Sequence, residues 1–291
     1  MSARLPPGLL VVLYAGLIFL YLPIAVLIAY SFNASALVTV WGGFSTVWYG
    51  RLLHNPQVLD AALLSLEVGV AAASVAVVLG TLAAVALVRI PRFRCRLLLT
   101  GMVHAPLVVP EIITGITLLL LFVSMSQIIG WPRHRDAATL VLAHISFCMA
   151  YVTITVLPRL AGADRALEEA AMDLGAGPLR AFLEITLPII APALISGWLL
   201  SFTLSLDDLV ISSFVAGPGS STLPMVIYSK VKLGVSPDMN ALASLVIMLV
   251  GAGVVMAGRM MRRAERQVLR DRQLAEQGER RGDAPGVAHS L

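Results

Sequence analysis

The chain has 291 residues, of which 58% are hydrophobic and only 13% are charged. Soluble globular domains carry about 25% charged residues, so this composition excludes an ordinary water-soluble domain and is typical of an integral membrane protein. The net charge of +4 is not accompanied by a basic face with interleaved aromatic residues, so we expect no nucleic-acid partner.

Six apolar stretches account for the low charge, and each is about 20 residues or longer, the length that crosses a bilayer as a helix. Because a backbone in lipid must satisfy its own hydrogen bonds, we predict an all-α fold. The predicted spans are residues 9–30, 61–88, 97–123, 137–157, 189–215 and 241–261. Residues 1–8 precede this six-helix membrane domain, residues 9–261, and residues 262–291 form a charged tail.

The first span is too long for the apolar core of a cleavable signal peptide, and only Arg4 precedes it, so we expect it to be retained. Basic residues concentrate in cytoplasmic loops, which fixes the orientation. With the N-terminus inside, few of the 21 Lys and Arg residues fall in outer loops. These few are Arg51, Arg133, Arg135, Lys230 and Lys232. We therefore predict that both termini are cytoplasmic.

The loop between the fourth and fifth spans, residues 159–187, contains more acidic than basic residues although it lies on the predicted cytoplasmic side. Asp164 is a suitable N-cap for a short helix, and Gly175 can end that helix in a positive-φ conformation. Pro178 fits the first turn of a second short helix, and Pro188 fits the start of the fifth span. The acidic excess suits a basic groove on a partner protein.

This loop also carries a spaced motif that begins with Glu169-Ala170-Ala171. Together with Gly175, Ile185, Leu187 and Pro188, the motif resembles the cytoplasmic coupling loop of permease subunits of bacterial ATP-binding cassette (ABC) importers. The resemblance implies a type I ABC importer permease architecture and docking on a separate ATPase dimer. It implies that the coupling residues are Glu168, Glu169, Ala170, Ala171, Gly175, Ile185, Leu187 and Pro188.

The chain contains only two lysines, Lys230 and Lys232, and neither lies in the Gly-rich loop that a nucleotide-binding motif requires. We therefore expect a transport subunit with no catalytic residue and no cofactor, whose partner ATPase binds ATP and Mg²⁺. No metal-ligand spacing is present. His104 and His144 lie in apolar runs, where we expect hydrogen-bonded packing residues.

Four further segments, residues 30–33, 48–49, 105–115 and 204–224, resemble the second permease subunit of spermidine/putrescine importers. This resemblance implies a polyamine substrate, with putrescine favoured over spermidine, and a location in the bacterial inner membrane. It also implies three partners: a related second permease subunit, the ATPase dimer and a periplasmic polyamine-binding protein.

Acidic residues within the predicted spans offer a way to bind such a cation, because ionisable groups in a membrane usually face a cavity or a partner. No Lys or Arg lies equally deep in any predicted span. Glu67 lies near the outer surface, where it either reaches headgroup water or lines the substrate path. Glu111 is predicted in mid-span after Pro110, where it either lines the substrate path or is hydrogen-bonded within the bundle.

Asp207 and Asp208 fall near the outer end of the fifth span. Adjacent helical residues point about 100° apart, so we expect at least one of them to line the path. The other is expected to cap the Gly-Pro-Gly segment at residues 217–219.

The residues alone leave two related functions open: an ABC permease for another small solute, and an ion-coupled secondary transporter. The second would work without an ATPase, and the acidic docking loop argues against it. A membrane-embedded enzyme would need a reactive group beside the intramembrane acids, and the sequence shows none.

Overall fold

The computed structural model describes residues 7–37, 40–90, 92–234 and 237–249, together with residues 251, 252, 255 and 259. These residues form helices and one isolated backbone bridge between Asn33 and Phe44, which confirms the all-α prediction. The helices are α1 Pro7–Tyr30, α2 Val47–Leu53, α3 Pro56–Arg89, α4 Arg96–Val108, α5 Glu111–Ile129, α6 Ala137–Ala161, α7 Arg165–Asp173, α8 Pro178–Ala181, α9 Leu187–Asp207, α10 Val210–Val215, α11 Leu223–Leu233 and α12 Pro237–Leu249.

Five of the described helical segments are long and apolar enough to cross a membrane. They are Gly8–Tyr30, Pro56–Arg89, Glu111–Ile129, Ala137–Ala161 and Pro178–Asp207. The last of them includes α8, a π-helical turn at Phe182–Thr186 and α9. The predicted sixth span, residues 241–261, is described as a continuous helix only as far as the end of α12, so the count of six stays a prediction. The predicted tail, residues 262–291, lies outside the described residues.

The chain divides into two compact units, Met1–Leu52 with Ser236–Leu291, and Leu53–Val235. In the first unit, Asn33 organises the loop after α1. Its Nδ2 donates to the Val40 carbonyl at 2.7 Å, and its Oδ1 accepts from the Gly42 amide at 2.7 Å. Trp48 Nε1 donates to the Asn33 carbonyl at 2.7 Å, which ties α2 to the same loop.

The second unit is built on α3, α6 and α9, which pack along one another. Small residues allow this close approach: Ala72, Ala76 and Ala84 of α3 are fully buried. A Cβ atom at Gly80 would lie 2.7 Å from the Cβ of Val152 on α6, so only glycine fits there. This packing agrees with the small-residue contacts expected between membrane helices.

The prediction of one continuous third span over residues 97–123 is wrong. The helix ends at Val108, Val109 adopts an extended conformation with φ −76° and ψ 129°, and α5 begins at Glu111. Pro110 explains the break, because a proline disfavours helical geometry in the residue before it. Glu111 therefore lies in the first turn of α5 rather than within a continuous helix.

The predicted fifth span over residues 189–215 is also interrupted. α9 ends at Asp207, Asp208 is extended with φ −65° and ψ 118°, and the short α10 follows. α10 packs against α5, where a Cβ atom at Gly115 would lie 2.6 Å from Cδ2 of Phe214. The two helix breaks are thereby brought to the same part of the second unit.

Candidate substrate cavity and coupling helix

A cavity of about 210 Å³ lies at the two helix breaks. All three acids predicted for the substrate path line it, namely Glu111 from α5, Asp207 from α9 and Asp208 from the break itself. Phe147 and Tyr151 of α6 supply aromatic rings to the wall. Within the part of the chain that the structure describes, no Lys or Arg lines this cavity. The cavity is therefore acidic and partly aromatic.

The side chains of Glu111 and Asp207 are exposed. In the described part of the chain, neither carboxylate takes part in an ion pair. Glu67 is also exposed, but it lines a separate groove on α3 together with Leu63 and Val70. The structure thus brings Glu111 and Asp207 together and places Glu67 elsewhere.

Asp208 differs from its neighbour because it is only 8% exposed. Its Oδ1 accepts from the Ile211 amide at 3.1 Å, and its Oδ2 accepts from the Ser212 amide at 2.7 Å. These contacts cap the N-terminus of α10, where free amides need acceptors. The expectation that one aspartate caps the Gly-Pro-Gly segment is therefore wrong, since the carboxylate of Asp208 serves α10.

The carboxylate of Asp208 also belongs to a buried polar cluster. Oδ2 accepts from the hydroxyl of Ser212 at 2.7 Å and lies 3.4 Å from Nε2 of His144. Nε2 is 3.1 Å from Ser212 Oγ, and Nδ1 is 2.6 Å from Ser205 Oγ. The prediction that His144 is a hydrogen-bonded packing residue is confirmed.

Sequence reasoning missed the relation of His144 to the cavity. The sequence feature that could have indicated a buried polar cluster is the spacing of Ser205, Asp208 and Ser212. These polar residues recur at helical spacing in an apolar segment. A buried histidine on another span is a suitable partner for such a set. Asp208 connects the cluster to the cavity, because it belongs to both.

The coupling segment folds as its local sequence predicts. Asp164 caps α7 by accepting from the Ala166 amide at 3.0 Å. Gly175 adopts φ +91° after the helix, and the Ala176 amide donates to the Ala171 carbonyl at 3.0 Å. This Schellman pattern requires the left-handed conformation that glycine adopts without strain.

Most of the segment is turned toward solvent. Glu169, Ala170 and Gly175 are exposed, and every side chain of α7 is at least partly accessible. Leu174 is 90% exposed and Leu179 is 71% exposed. Exposed apolar side chains beside acidic ones are typical of a surface that a partner protein covers.

Glu168 has a different environment from Glu169. It is half-buried, and its Oε1 accepts from Arg89 at the end of α3 and from the hydroxyl of Thr186 in the π-helical turn. Arg165 adds a hydrogen bond to the Val88 carbonyl at 3.2 Å. These contacts attach α7 to two membrane helices at once.

The remaining coupling residues divide by accessibility. Ala171, Ile185 and Leu187 are half-buried, whereas Pro188 is exposed in the first turn of α9. The predicted set therefore contains an exposed group, suited to contact with another protein, and an inner group that shapes the base of α9.

Comparison with known proteins agrees with this architecture. The family described as "Binding-protein-dependent transport system inner membrane component" matches residues 76–270. The "Putrescine transport system permease protein PotI" of Escherichia coli (strain K12) is 54% identical over 272 residues, which cover 94% of this chain and 97% of the relative. The "Spermidine/putrescine transport system permease protein PotC" of the same organism is 44% identical over 242 residues, covering 83% and 88% of the two chains.

A solved structure shows the same fold at low sequence identity. A chain of a bacterial ABC transporter involved in the import of the acidic polysaccharide alginate superposes with a TM-score of 0.66 at 18% identity, covering 86% of this chain and 94% of that one. The matched residues include the buried cluster around His144 and the coupling segment. The chain therefore belongs to the inner-membrane permease family of binding-protein-dependent ABC importers.

Proposed function

We propose that this chain is the transmembrane permease subunit of an ATP-driven polyamine importer, with putrescine as its substrate, and that it forms half of the translocation path. The observation that carries the proposal is the acidic cavity lined by Glu111, Asp207 and Asp208. The similarity to permeases named for putrescine and spermidine supports it.

The chemistry of the cavity suits a diamine. Putrescine is a short alkyl chain with an ammonium group at each end, so it needs acceptors of opposite charge and apolar contact between them. The exposed carboxylates of Glu111 and Asp207 supply the charge, and Phe147 and Tyr151 supply aromatic faces that attract cations. A hydrogen bond to a charged group contributes about 1.5–3 kcal/mol, which is enough to make each carboxylate matter for affinity.

The proposed assembly contains a related second permease subunit, an ATPase dimer and a periplasmic polyamine-binding protein. The exposed face of α7 docks on the ATPase, which binds ATP and Mg²⁺. The exposed Leu174 and Leu179 and the carboxylate of Glu169 are the contacts that an ATPase groove would cover.

We place the chain in the bacterial inner membrane with both termini in the cytoplasm. In this orientation α7 is cytoplasmic and the loop before α11 is periplasmic. Starting from a Cys95→Ser chain, a cysteine at Ser221 should react with an impermeant maleimide in intact cells. A cysteine at the exposed Arg94, in the loop between α3 and α4, should react only after permeabilisation, and the reverse labelling pattern would contradict the orientation.

The substrate role is tested by putrescine uptake in cells whose own polyamine importers are deleted and which express the complete importer. Asp207→Asn and Glu111→Gln preserve side-chain shape and remove the charge. We expect each to raise the KM for putrescine by about tenfold or more, as the loss of a charged hydrogen bond implies. The binding protein and ATPase should remain on the complex.

Glu67→Gln is the matched control, because it makes the same chemical change at an exposed acid outside the cavity. It should leave the KM for putrescine unchanged. Parental uptake by both cavity variants would remove these carboxylates from the substrate path. Competition by an excess of a neutral solute, rather than by spermidine, would contradict the substrate class.

A further inference from the structure

We propose that His144 is a positioning residue for substrate binding, which holds the break between α9 and α10 in the conformation that presents Asp207 to the cavity. The proposal rests on the proposed function, because it assigns His144 an action through a substrate-binding carboxylate. His144 itself does not line the cavity.

The imidazole of His144 joins the helix before the break to the helix after it. Nδ1 lies 2.6 Å from the hydroxyl of Ser205 on α9, and Nε2 lies 3.1 Å from the hydroxyl of Ser212 on α10. His144 and Ser212 are fully buried, and Ser205 is buried as well. A single side chain of α6 thus fixes the spacing of two helices that the main chain leaves interrupted.

The hydrogen bonds have a defined direction. The carboxylate of Asp208 can only accept, so the hydroxyl of Ser212 donates to it at 2.7 Å. The oxygen of Ser212 is then free to accept from Nε2–H of His144. Asp208 also accepts from the amides of Ile211 and Ser212, so its carboxylate is fully occupied within the protein.

The contacts of Asp208 determine the position of its neighbour, Asp207. Asp208 is held inward with an extended backbone, which ends α9 and leaves the side chain of Asp207 exposed at the cavity. If the inward anchor is lost, the backbone at the break is free to relax and the distance between Asp207 and Glu111 changes. Substrate affinity should suffer before assembly or turnover does.

The test compares His144→Leu with His144→Gln in putrescine uptake by the complete importer. Leucine removes the partner of the buried Ser205 hydroxyl and the donor to the Ser212 oxygen, while Ser212 still donates to Asp208. The amide of glutamine can still donate to Ser212. We expect His144→Leu to raise the KM for putrescine about tenfold with less than about a twofold change in maximal rate, a split that separates binding from turnover. His144→Gln should restore the KM to within about threefold of the parent.

Cys148→Ala is the matched control. Cys148 is buried one turn further along α6, and its thiol faces the Ser201 carbonyl at 3.5 Å rather than the break. The variant therefore perturbs the packing of the same helix and should leave the KM unchanged. An equal rise in KM for Cys148→Ala would show that the break responds to any packing defect, and it would overturn the assignment.

A double-mutant cycle tests whether His144 acts through Asp207. If it does, His144→Leu should add little to the KM of Asp207→Asn, since the carboxylate that it positions is already gone. Fully additive effects overturn the proposal. If Asp207→Asn has the parental KM, the proposed substrate site itself is contradicted. If Asp207→Asn raises the KM and His144→Leu does not, only the positioning role of His144 is overturned.

Should His144→Leu fail to accumulate in the membrane, Ser212→Ala takes its place in the cycle. This variant removes the hydroxyl that connects Nε2 to Asp208 and leaves the imidazole and the amide contacts of α10 intact. An intermediate rise in KM, non-additive with Asp207→Asn, supports the proposal. An unchanged KM overturns it.

Discussion

The coupling segment and the cavity each contain a pair of adjacent acids, and both pairs divide their roles in the same way. In the coupling segment Glu168 is held by Arg89 and Thr186, while Glu169 is exposed. In the cavity Asp208 is buried against α10, while Asp207 is exposed. One acid of each pair stabilises the fold, and the other is exposed and free to contact a partner protein or a ligand.

The geometry of a helix explains the division in α7, because neighbouring helical residues point about 100° apart and Glu168 can face inward while Glu169 faces outward. The two aspartates diverge for another reason: α9 ends at Asp207, and Asp208 has an extended backbone. The inward member, Glu168 or Asp208, fixes the backbone beside the outward one. The two regions differ in the surroundings of the outward acid: Glu169 lies on an exposed helix surface, whereas Asp207 lines a cavity.

The largest effect is expected from changes to the outward face of α7. Glu169→Lys reverses the charge on the face of α7 that we propose docks on the ATPase, and Gly175→Asp adds a side chain at φ +91°, which strains the turn after the helix. We expect putrescine uptake to fall by about a hundredfold, because several contacts of the docking surface are lost together. The measurement is uptake together with ATP hydrolysis stimulated by the binding protein.

Two controls make this result interpretable. Each variant should remain in the membrane at the parental level, as the open surroundings of both residues imply. Asp173→Lys makes a comparable charge reversal at the end of α7, outside the spaced motif, and should have a smaller effect on uptake. Parental uptake by both motif variants at parental abundance would contradict the docking role of α7.

The coupling segment was predictable in detail because short-range rules determine it. Asp164 and Gly175 cap α7 through amides and carbonyls a few residues away, so the sequence contains all the needed information. The bond between Glu168 and Arg89 was not predictable. It joins residues that are 79 positions apart, and either one could equally have been a charge exposed to solvent.

The cavity was predictable as a set of residues but not as a shape. Long apolar runs identified the spans that carry Glu111, Asp207 and Asp208, yet hydropathy treats a helix with an interruption as continuous. The break at Pro110 has a local cause that the sequence displays. At the break at Asp208 the carboxylate lies against His144, a residue on another helix, and only the packed structure reveals this contact.

A smaller effect is expected when Glu168, the inward acid of the coupling segment, loses its partner Arg89. This change tests whether Glu168 stabilises the position of α7 or takes part in docking. Arg89→Ala removes the cation that holds Glu168 and leaves the outer face of α7 unchanged. Both side chains are mostly shielded from solvent, so the lost charged hydrogen bond is only weakly screened. We expect uptake to fall by about three- to tenfold, while the ATPase still copurifies with the permease.

The charge swap Arg89→Glu with Glu168→Arg gives the sharpest form of this prediction. It restores opposite charges between α3 and α7, and the new arginine can donate to the hydroxyl of Thr186 in place of the original acceptor. Uptake should recover toward the parental rate, whereas either single change should remain impaired. Arg94→Ala removes an exposed cation from the loop between α3 and α4 and should have little effect. If the swap is as impaired as the single variants, Glu168 belongs with Glu169 on the docking surface, and the division of roles holds only for the aspartates of the cavity.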